Sequence, residues 1–258
     1  MVALLPVIFL SLNLSIIQGL QEPPVVAPDS PAPVVAPDSP APEEKETHLA
    51  DPASLLEKPS PALVLDDIDG NPFDLSNHSE DVVVLEWTLP ECRFSQRLYS
   101  QHRVTPMIRR WGKQGVKWVS IDSAFFAHPE KIRPWLKKFS VEHPYLIDLN
   151  GRLAEAFGVK VSPTYLVVNR GQIVYHGAID DDVWGKKLER KLYLDMAIRD
   201  AVEGRTVQNP LTRPYGMVIR TRRVEDERRA RIQEAREARE RDEKNQSDST
   251  SQGSNTGG

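Results

Sequence analysis

Only one cysteine, Cys92, occurs among the 258 residues, and no other side chain type in the chain is better suited to nucleophilic redox chemistry. It lies in Glu86-Trp87-Thr88-Leu89-Pro90-Glu91-Cys92-Arg93-Phe94, where the strand-like run VVVLEW gives way to helical spacing. A cysteine at such a junction meets the positive end of the helix dipole and backbone N–H groups without intrahelical partners, which favour thiolate over thiol. Arg93 and Arg97 add positive charge. A thiolate placed there can attack a peroxide or a disulfide. The opposing reading is an inert core cysteine packed like any small apolar side chain. Glu86 closes the strand, and a buried carboxylate there could accept the thiol proton. Exposure or pairing with an arginine is the plainer alternative for a glutamate.

A single cysteine excludes an intrachain disulfide, an internal Cys-x-x-Cys dithiol and any multi-cysteine zinc or iron–sulfur site. The six histidines, at positions 48, 78, 102, 128, 143 and 176, show no metal-ligand spacing. Asp180, Asp181 and Asp182 read as a solvated loop, and Asp66, Asp67 and Asp69 lack the spacing of a calcium loop. Neither a Gly-rich phosphate loop nor a Gly-x-Ser-x-Gly elbow is present, so no metal and no cofactor is expected. With Lys+Arg 33 against Asp+Glu 37 the formal charge is -4, and no basic patch argues for nucleic acid.

The elements that must position Cys92 follow from periodicity. Leu63 to Leu65 suits a short strand before the turn signal Asp69-Gly70-Asn71, and Val82 to Trp87 is the strongest buried-strand run. A helix is predicted from Arg93 to Trp111, a second buried strand from Val116 to Ile121, and a helix from Pro129 to Phe139 that Pro134 must bend or break. Tyr145 to Ile147 is a short apolar patch and Arg152 to Phe157 a short helical one. Tyr165 to Val168 and Gln172 to His176 flank Asn169-Arg170-Gly171 as a hairpin, and Trp184 to Val202 has helical spacing. Strands alternating with helices imply an α/β domain with a mostly parallel central sheet and an antiparallel terminal hairpin, the thioredoxin-like arrangement.

With these motifs in order, residues 62–223 resemble the thioredoxin-like redoxin family, which includes thiol-disulfide oxidoreductases and AhpC/TSA-like, peroxiredoxin-related proteins. Glu86-Trp87-Thr88 with Pro90 and Cys92 is similar to the active-site loop of secreted redoxins. Val159-Lys160-Val161-Ser162-Pro163-Thr164 resembles the segment that carries their cis-proline. Gly171 to Asp181 is similar to the last hairpin and the loop after it, and Thr212-Arg213-Pro214-Tyr215-Gly216 to a C-terminal motif of one branch.

The resemblance implies a redox site at Cys92 shaped by Glu86, Trp87, Thr88, Pro90, Arg93, Ser162 and Pro163, with antioxidant or cell-redox function. A cis bond at Pro163 would present the backbone of Ser162 to an extended ligand. Two positions depart from the family. Leu89 stands where a dithiol motif has its attacking cysteine, and Met217 follows the Pro-Tyr-Gly motif where a second cysteine often occurs. Leu89 also stands three residues before Cys92, where peroxiredoxins place Thr or Ser. The expectation is therefore a monothiol that needs an external thiol reductant or a protein disulfide partner. The alternative is a non-catalytic binding or scaffold module that has lost its dithiol.

Outside this domain, residues 1–20 read as a signal peptide or an uncleaved N-terminal anchor, implying a periplasmic, secreted or membrane-tethered protein. Residues 21–61 hold two copies of PVVAPDSPA and read as a Pro/Ala-rich linker. Residues 224–244 are almost wholly charged, with Glu and Arg or Lys at i, i+4 spacing, and read as an exposed helix; residues 245–258 read as a disordered tail.

Overall fold

Packing onto the domain starts upstream of Ala62, within the segment read as linker. The computed structural model describes residues 49–253, and side chains as far as Glu243. The expected signal or anchor, most of the expected linker and residues 254–258 lie outside the described residues. Helix α1 (Pro52–Leu55) is capped by Asp51, whose carboxylate accepts from the Ala53 N–H at 3.1 Å. Leu55 and Leu56 pack on the core, and Leu56 and Pro59 bridge to Ile173 and Gln172. Proline content argued for an extended linker here, but two adjacent leucines supply enough apolar surface to dock it.

β1 (Val64–Asp66) and β2 (Pro72–Asp74) form an antiparallel hairpin whose turn is held by the Asp67 carboxylate, which accepts from the N–H groups of Asp69 and Asn71. β3 (Val82–Trp87) follows, with Val83 through Trp87 all buried. The single helix expected from Arg93 to Trp111 is two: α2 (Arg93–Ser100) and α3 (Thr105–Gly112). The chain breaks at His102, which adopts φ 54°, and restarts with Pro106 in the first turn of α3, a position where proline is tolerated.

β4 (Lys117–Asp122), α4 (Pro129–Phe139), β5 (Tyr145–Ile147) and α5 (Arg152–Ala156) follow in turn. Of the bend or break expected at Pro134, the break does not occur: α4 runs through it. The two-residue strand β6 (Val161–Ser162) leads through Pro163 into β7 (Thr164–Asn169) and β8 (Gln172–Gly177). α6 is shorter than the helical spacing predicted: it spans Tyr193–Val202, and residues 184–192 form a loop in which Trp184 and Leu188 are exposed. The chain ends with β9 (Met217–Val218) and α7 (Arg222–Gly253), which starts inside the expected redoxin segment and reaches into residues read as a tail.

The central sheet has the order β5-β4-β3-β7-β8, with β3 in the middle. β3 and β4, and β4 and β5, are parallel; β7 is antiparallel to β3 and to β8. This is the thioredoxin-like α/β fold, with half of its central pairings antiparallel. Side-chain alternation along the strands divides the interior into two cores. Val83, Leu85 and Trp87 join the core that also holds Leu63, Phe73, Cys92 and Phe157. Val84 joins the other, with Leu98, Tyr99, Trp118, Trp135, Tyr165 and Leu194.

Register fixes where chemistry can occur. Trp87 pairs with Ile121 on one side and Thr164 on the other. The C-terminal ends of β3 and β4 and the N-terminal end of β7 therefore share one sheet edge. That edge is where a doubly wound sheet opens a crevice, and it carries Cys92 on one flank and Ser162-Pro163 on the other. Among the described residues no helix is long and apolar enough to cross a membrane.

Candidate functional site

Leaving β3, the chain turns through Thr88-Leu89-Pro90-Glu91, and the Cys92 N–H donates to the Leu89 carbonyl at 3.1 Å. Gln96 Nε2 donates to the Pro90 carbonyl at 2.6 Å, tying the loop to the first turn of α2. Cys92 is the N-cap residue of α2, with extended φ and ψ of -73° and 113°. Its side chain makes no capping bond. Instead Sγ donates to the Ser162 carbonyl at 2.9 Å, across the Ser162-Pro163 peptide bond, which is cis. Cys92 is 1% exposed.

A second, purely hydroxyl connection runs parallel to this one. Thr88 Oγ1 donates to Ser95 Oγ at 3.0 Å, and Ser95 Oγ shares a hydrogen with Ser162 Oγ at 3.2 Å. All three residues are buried. The end of β3, the first turn of α2 and the cis-proline loop are thus joined twice, once through sulfur and once through hydroxyls. Ser95 was not singled out from sequence, although it sits three residues after Cys92 and so on the same helix face.

Trp87 packs in the same core as Cys92, tilted against Phe157, and its indole N–H donates to Ser123 Oγ at 3.1 Å. Ser123 donates onward to Asp148 Oδ2 at 2.6 Å, and that oxygen also accepts from the N–H groups of Leu153 and Ala154 at the start of α5. Pro90 is buried and acts through its carbonyl. Arg93 is exposed, with its guanidinium 5.2 Å from the centre of the Phe94 ring. Arg97 donates to the carbonyls of Val183 and Asp182 and lies over Phe94 and Tyr215.

Glu86 is not brought to the thiol. Neighbouring strand residues point to opposite faces, so Glu86 enters the core that Cys92 does not share. There it is fully buried, and its carboxylate accepts from Tyr99 Oη at 2.8 Å, Trp118 Nε1 at 2.9 Å, Ser120 Oγ at 3.4 Å and Tyr165 Oη at 3.1 Å. Burial drives its pKa up to about 7, against the downward pull of those donors. Ser120 also bonds His143 Nε2 at 2.8 Å, and burial pushes that imidazole down to about 3, so it is neutral. The polar cluster is built for structure, not for the sulfur. A carboxylate that does lie at the sheet edge is Asp122, at the end of β4, which sequence reasoning did not select. Burial above all, with the charges of Glu91, next to Cys92, and Asp148, lifts it to about 7 against the pull of the Ala124 N–H.

The edge of Ser162 is occupied by the chain itself. β9 pairs antiparallel with β6, matching Ser162 with Met217 and Val161 with Val218. Gly216 lies so close to the Ser162 carbonyl that a Cβ there would overlap its oxygen. The backbone expected to meet an extended ligand therefore meets the C-terminal segment. Asp180 and Asp182, expected in a solvated loop, are buried: Arg103 bridges both, and Arg190 and Tyr215 Oη bond Asp180. Among the described residues no group of three or more His, Cys, Asp or Glu could hold a metal ion.

Residues 56–176 match the AhpC/TSA family. Two solved structures are similar in fold over 64% of this chain. A hypothetical protein from Sinorhizobium meliloti is 23% identical with a TM-score of 0.59 over 94% of its own length. An uncharacterized conserved protein from Geobacillus kaustophilus is 24% identical with a TM-score of 0.58 over 90%. The thioredoxin domain of a thiol-disulfide oxidoreductase from Bacteroides vulgatus is 13% identical, with a TM-score of 0.42 covering 47% of this chain and 86% of that one. No curated protein matches the sequence.

Proposed function

We propose that the folded domain, whose residues 56–176 match the AhpC/TSA family, is a thioredoxin-fold redoxin in which Cys92 acts as a redox monothiol. The observation that carries this reading is the placement of Sγ at the N-cap of α2, 2.9 Å from the carbonyl of the residue before a cis-proline. The proton that Sγ now donates to Ser162 must leave before attack. Once it has left, the first N–H groups of α2 and their dipole hold the negative sulfur.

Two reactions are open to it. On a peroxide, the thiolate takes one oxygen: the S–O bond forms, the O–O bond breaks and hydroxide or an alkoxide leaves, giving the sulfenic acid. On a partner disulfide, an S–S bond forms as the partner's S–S bond breaks, giving a mixed disulfide and a partner thiolate. Neither product can be resolved within this chain, because Cys92 is the sole cysteine. An external thiol closes both cycles. It condenses with the sulfenic acid, releasing water, and a second thiol then displaces the resulting mixed disulfide. The apolar N-terminal run supports export, by a cleaved signal or an anchor, with the proline-rich stretch as a tether between anchor and domain.

A second reading, a binding module that has lost its redox chemistry, is favoured by the burial of Cys92 and by Leu89 and Met217 at the positions of potential partner thiols. Turnover separates the two. The full chain with hydrogen peroxide and excess small thiol is expected to consume peroxide faster than the same mixture with Cys92→Ser. Equal rates, together with no mixed disulfide from a small disulfide reagent, would leave the binding module.

A further inference from the structure

We propose that residues 212–221 are a strap that gates Cys92, with β9 acting as an intramolecular stand-in for the extended partner whose strand would otherwise add at Ser162. The inference rests on the redox reading for what the gate regulates, but not for whether a gate exists.

The strap is anchored at both ends and thin in the middle. At its start, the Thr212 N–H donates to the His176 carbonyl at 3.1 Å and Thr212 Oγ1 accepts from the Ala178 N–H at 3.0 Å. At its end, the Ile219 N–H donates to the Lys160 carbonyl and the Phe125 N–H to the Arg220 carbonyl, both at 2.9 Å. Ile219 and Thr221 are buried, and Thr221 fills the space beside Gly151. Between these anchors the contact with the site consists of three elements: Tyr215, the close approach of Gly216, and a two-residue strand. Tyr215 Oη donates to Asp180 Oδ1 at 2.6 Å, and its ring packs 6.1 Å from Phe94, two residues beyond Cys92. Met217 and Val218 remain exposed although paired.

The middle of the strap converges on one atom. The Ser162 carbonyl oxygen accepts from Cys92 Sγ, and the same oxygen is what a side chain at position 216 would strike. Glycine is required there by close backbone approach, not by a left-handed φ. A two-residue ladder is a weak lock, and segments held by few backbone bonds open at free energies well below global unfolding. Strand addition at a short edge is also how extended peptides bind, so a partner strand and β9 compete for the same backbone.

The test is native-state alkylation of Cys92 by iodoacetamide in the full chain, which reads access to the sulfur whether or not it has redox activity. The wild-type rate should be at least about a hundredfold below that of the urea-unfolded chain and should change little with sub-denaturing urea, as a small local opening requires. Gly216→Ala should raise the native rate about tenfold or more by pushing the strap off Ser162. Tyr215→Phe, which keeps the ring and removes the bond to Asp180, should raise it several-fold and covers the case in which Gly216→Ala fails to fold. The inference is overturned if the wild type alkylates as fast as the unfolded chain, or if folded variants alkylate at the wild-type rate. Faster alkylation without any mixed disulfide or sulfenic acid would uphold the gate and reject the redox reading.

Discussion

The two cores on either side of β3 enclose the two polar groups that sequence placed at one site, and those groups have opposite characters. On one face Glu86 is enclosed by four donors from three elements, α2, β4 and β7, and every one of those donors is itself buried or pinned. On the other, Cys92 makes a single bond to a carbonyl whose edge is closed only by a two-residue strand. The lesson is that equal burial can mean different things. A group buried in a fully satisfied network specifies the fold, whereas a group buried behind a thin segment is available to chemistry when that segment moves.

The largest way to break this contrast is to remove the carboxylate. Glu86→Ala leaves the Trp118 indole N–H and two tyrosine hydroxyls without their acceptor and opens a cavity, and is expected to cost roughly 3 to 5 kcal/mol in urea denaturation. Cys92→Ala removes one weak donor and should cost roughly 1 to 2 kcal/mol. Equal costs would dissolve the distinction between a structural and an available group.

A pH series sharpens it. Glu86 is raised from 4.5 to about 7 in the folded protein, so its contribution to stability is fully present below about 4.5 and is lost as pH rises through about 7. Glu86→Gln can still accept from Trp118 and donate to a tyrosine oxygen. It should remove a decline on the order of 3 kcal/mol between those limits. Asp122, also at about 7, acts in the same direction, while the depressed imidazoles of His143 and His176 act in the opposite one, so the Glu86 contribution is read as the difference between the wild-type and variant profiles. An unchanged profile in Glu86→Gln would show that Glu86 is not the titrating group.

On the sulfur side, Ser95→Ala removes the middle of the hydroxyl chain between Thr88 and Ser162 and should cost about 1 kcal/mol, while making Cys92 easier to alkylate. The smallest effect is expected at Trp184, exposed beside Phe94: Trp184→Ala should change stability by less than about 0.5 kcal/mol. A large stability loss there would mean that the loop of residues 184–192 belongs to the core, as its helical spacing first suggested.

Much of this was legible in the sequence. Val82 to Trp87 and the hairpin around Asn169-Arg170-Gly171 announce themselves through β-branched and aromatic runs bounded by turn residues; the first is a buried strand and the hairpin arms pair as expected, whereas the antiparallel pairing of β3 with β7 was not foreseen. The cis bond at Pro163 came from resemblance, not from pattern. Where reading failed, tertiary contacts overruled local spacing. Leu188 and Leu192 mark a helical stripe, yet in the loop carrying them Arg190 is drawn to Asp180 just upstream, a carboxylate that the distant Arg103 also bonds. The separation of Glu86 from Cys92 could have been read from strand parity, because Glu86 and Trp87 must face opposite ways. The strap could not, since a two-residue strand leaves no periodic signal and Gly216 reveals its purpose only beside Ser162.

The central claim, that Cys92 is a working monothiol, is tested most directly by incubating the native full chain with an extended peptide carrying a disulfide and weighing the product by mass spectrometry. The account predicts one adduct per chain, mapped to Cys92, formed without denaturant and released by excess small thiol. An adduct that appears only at urea concentrations that unfold the chain would contradict it.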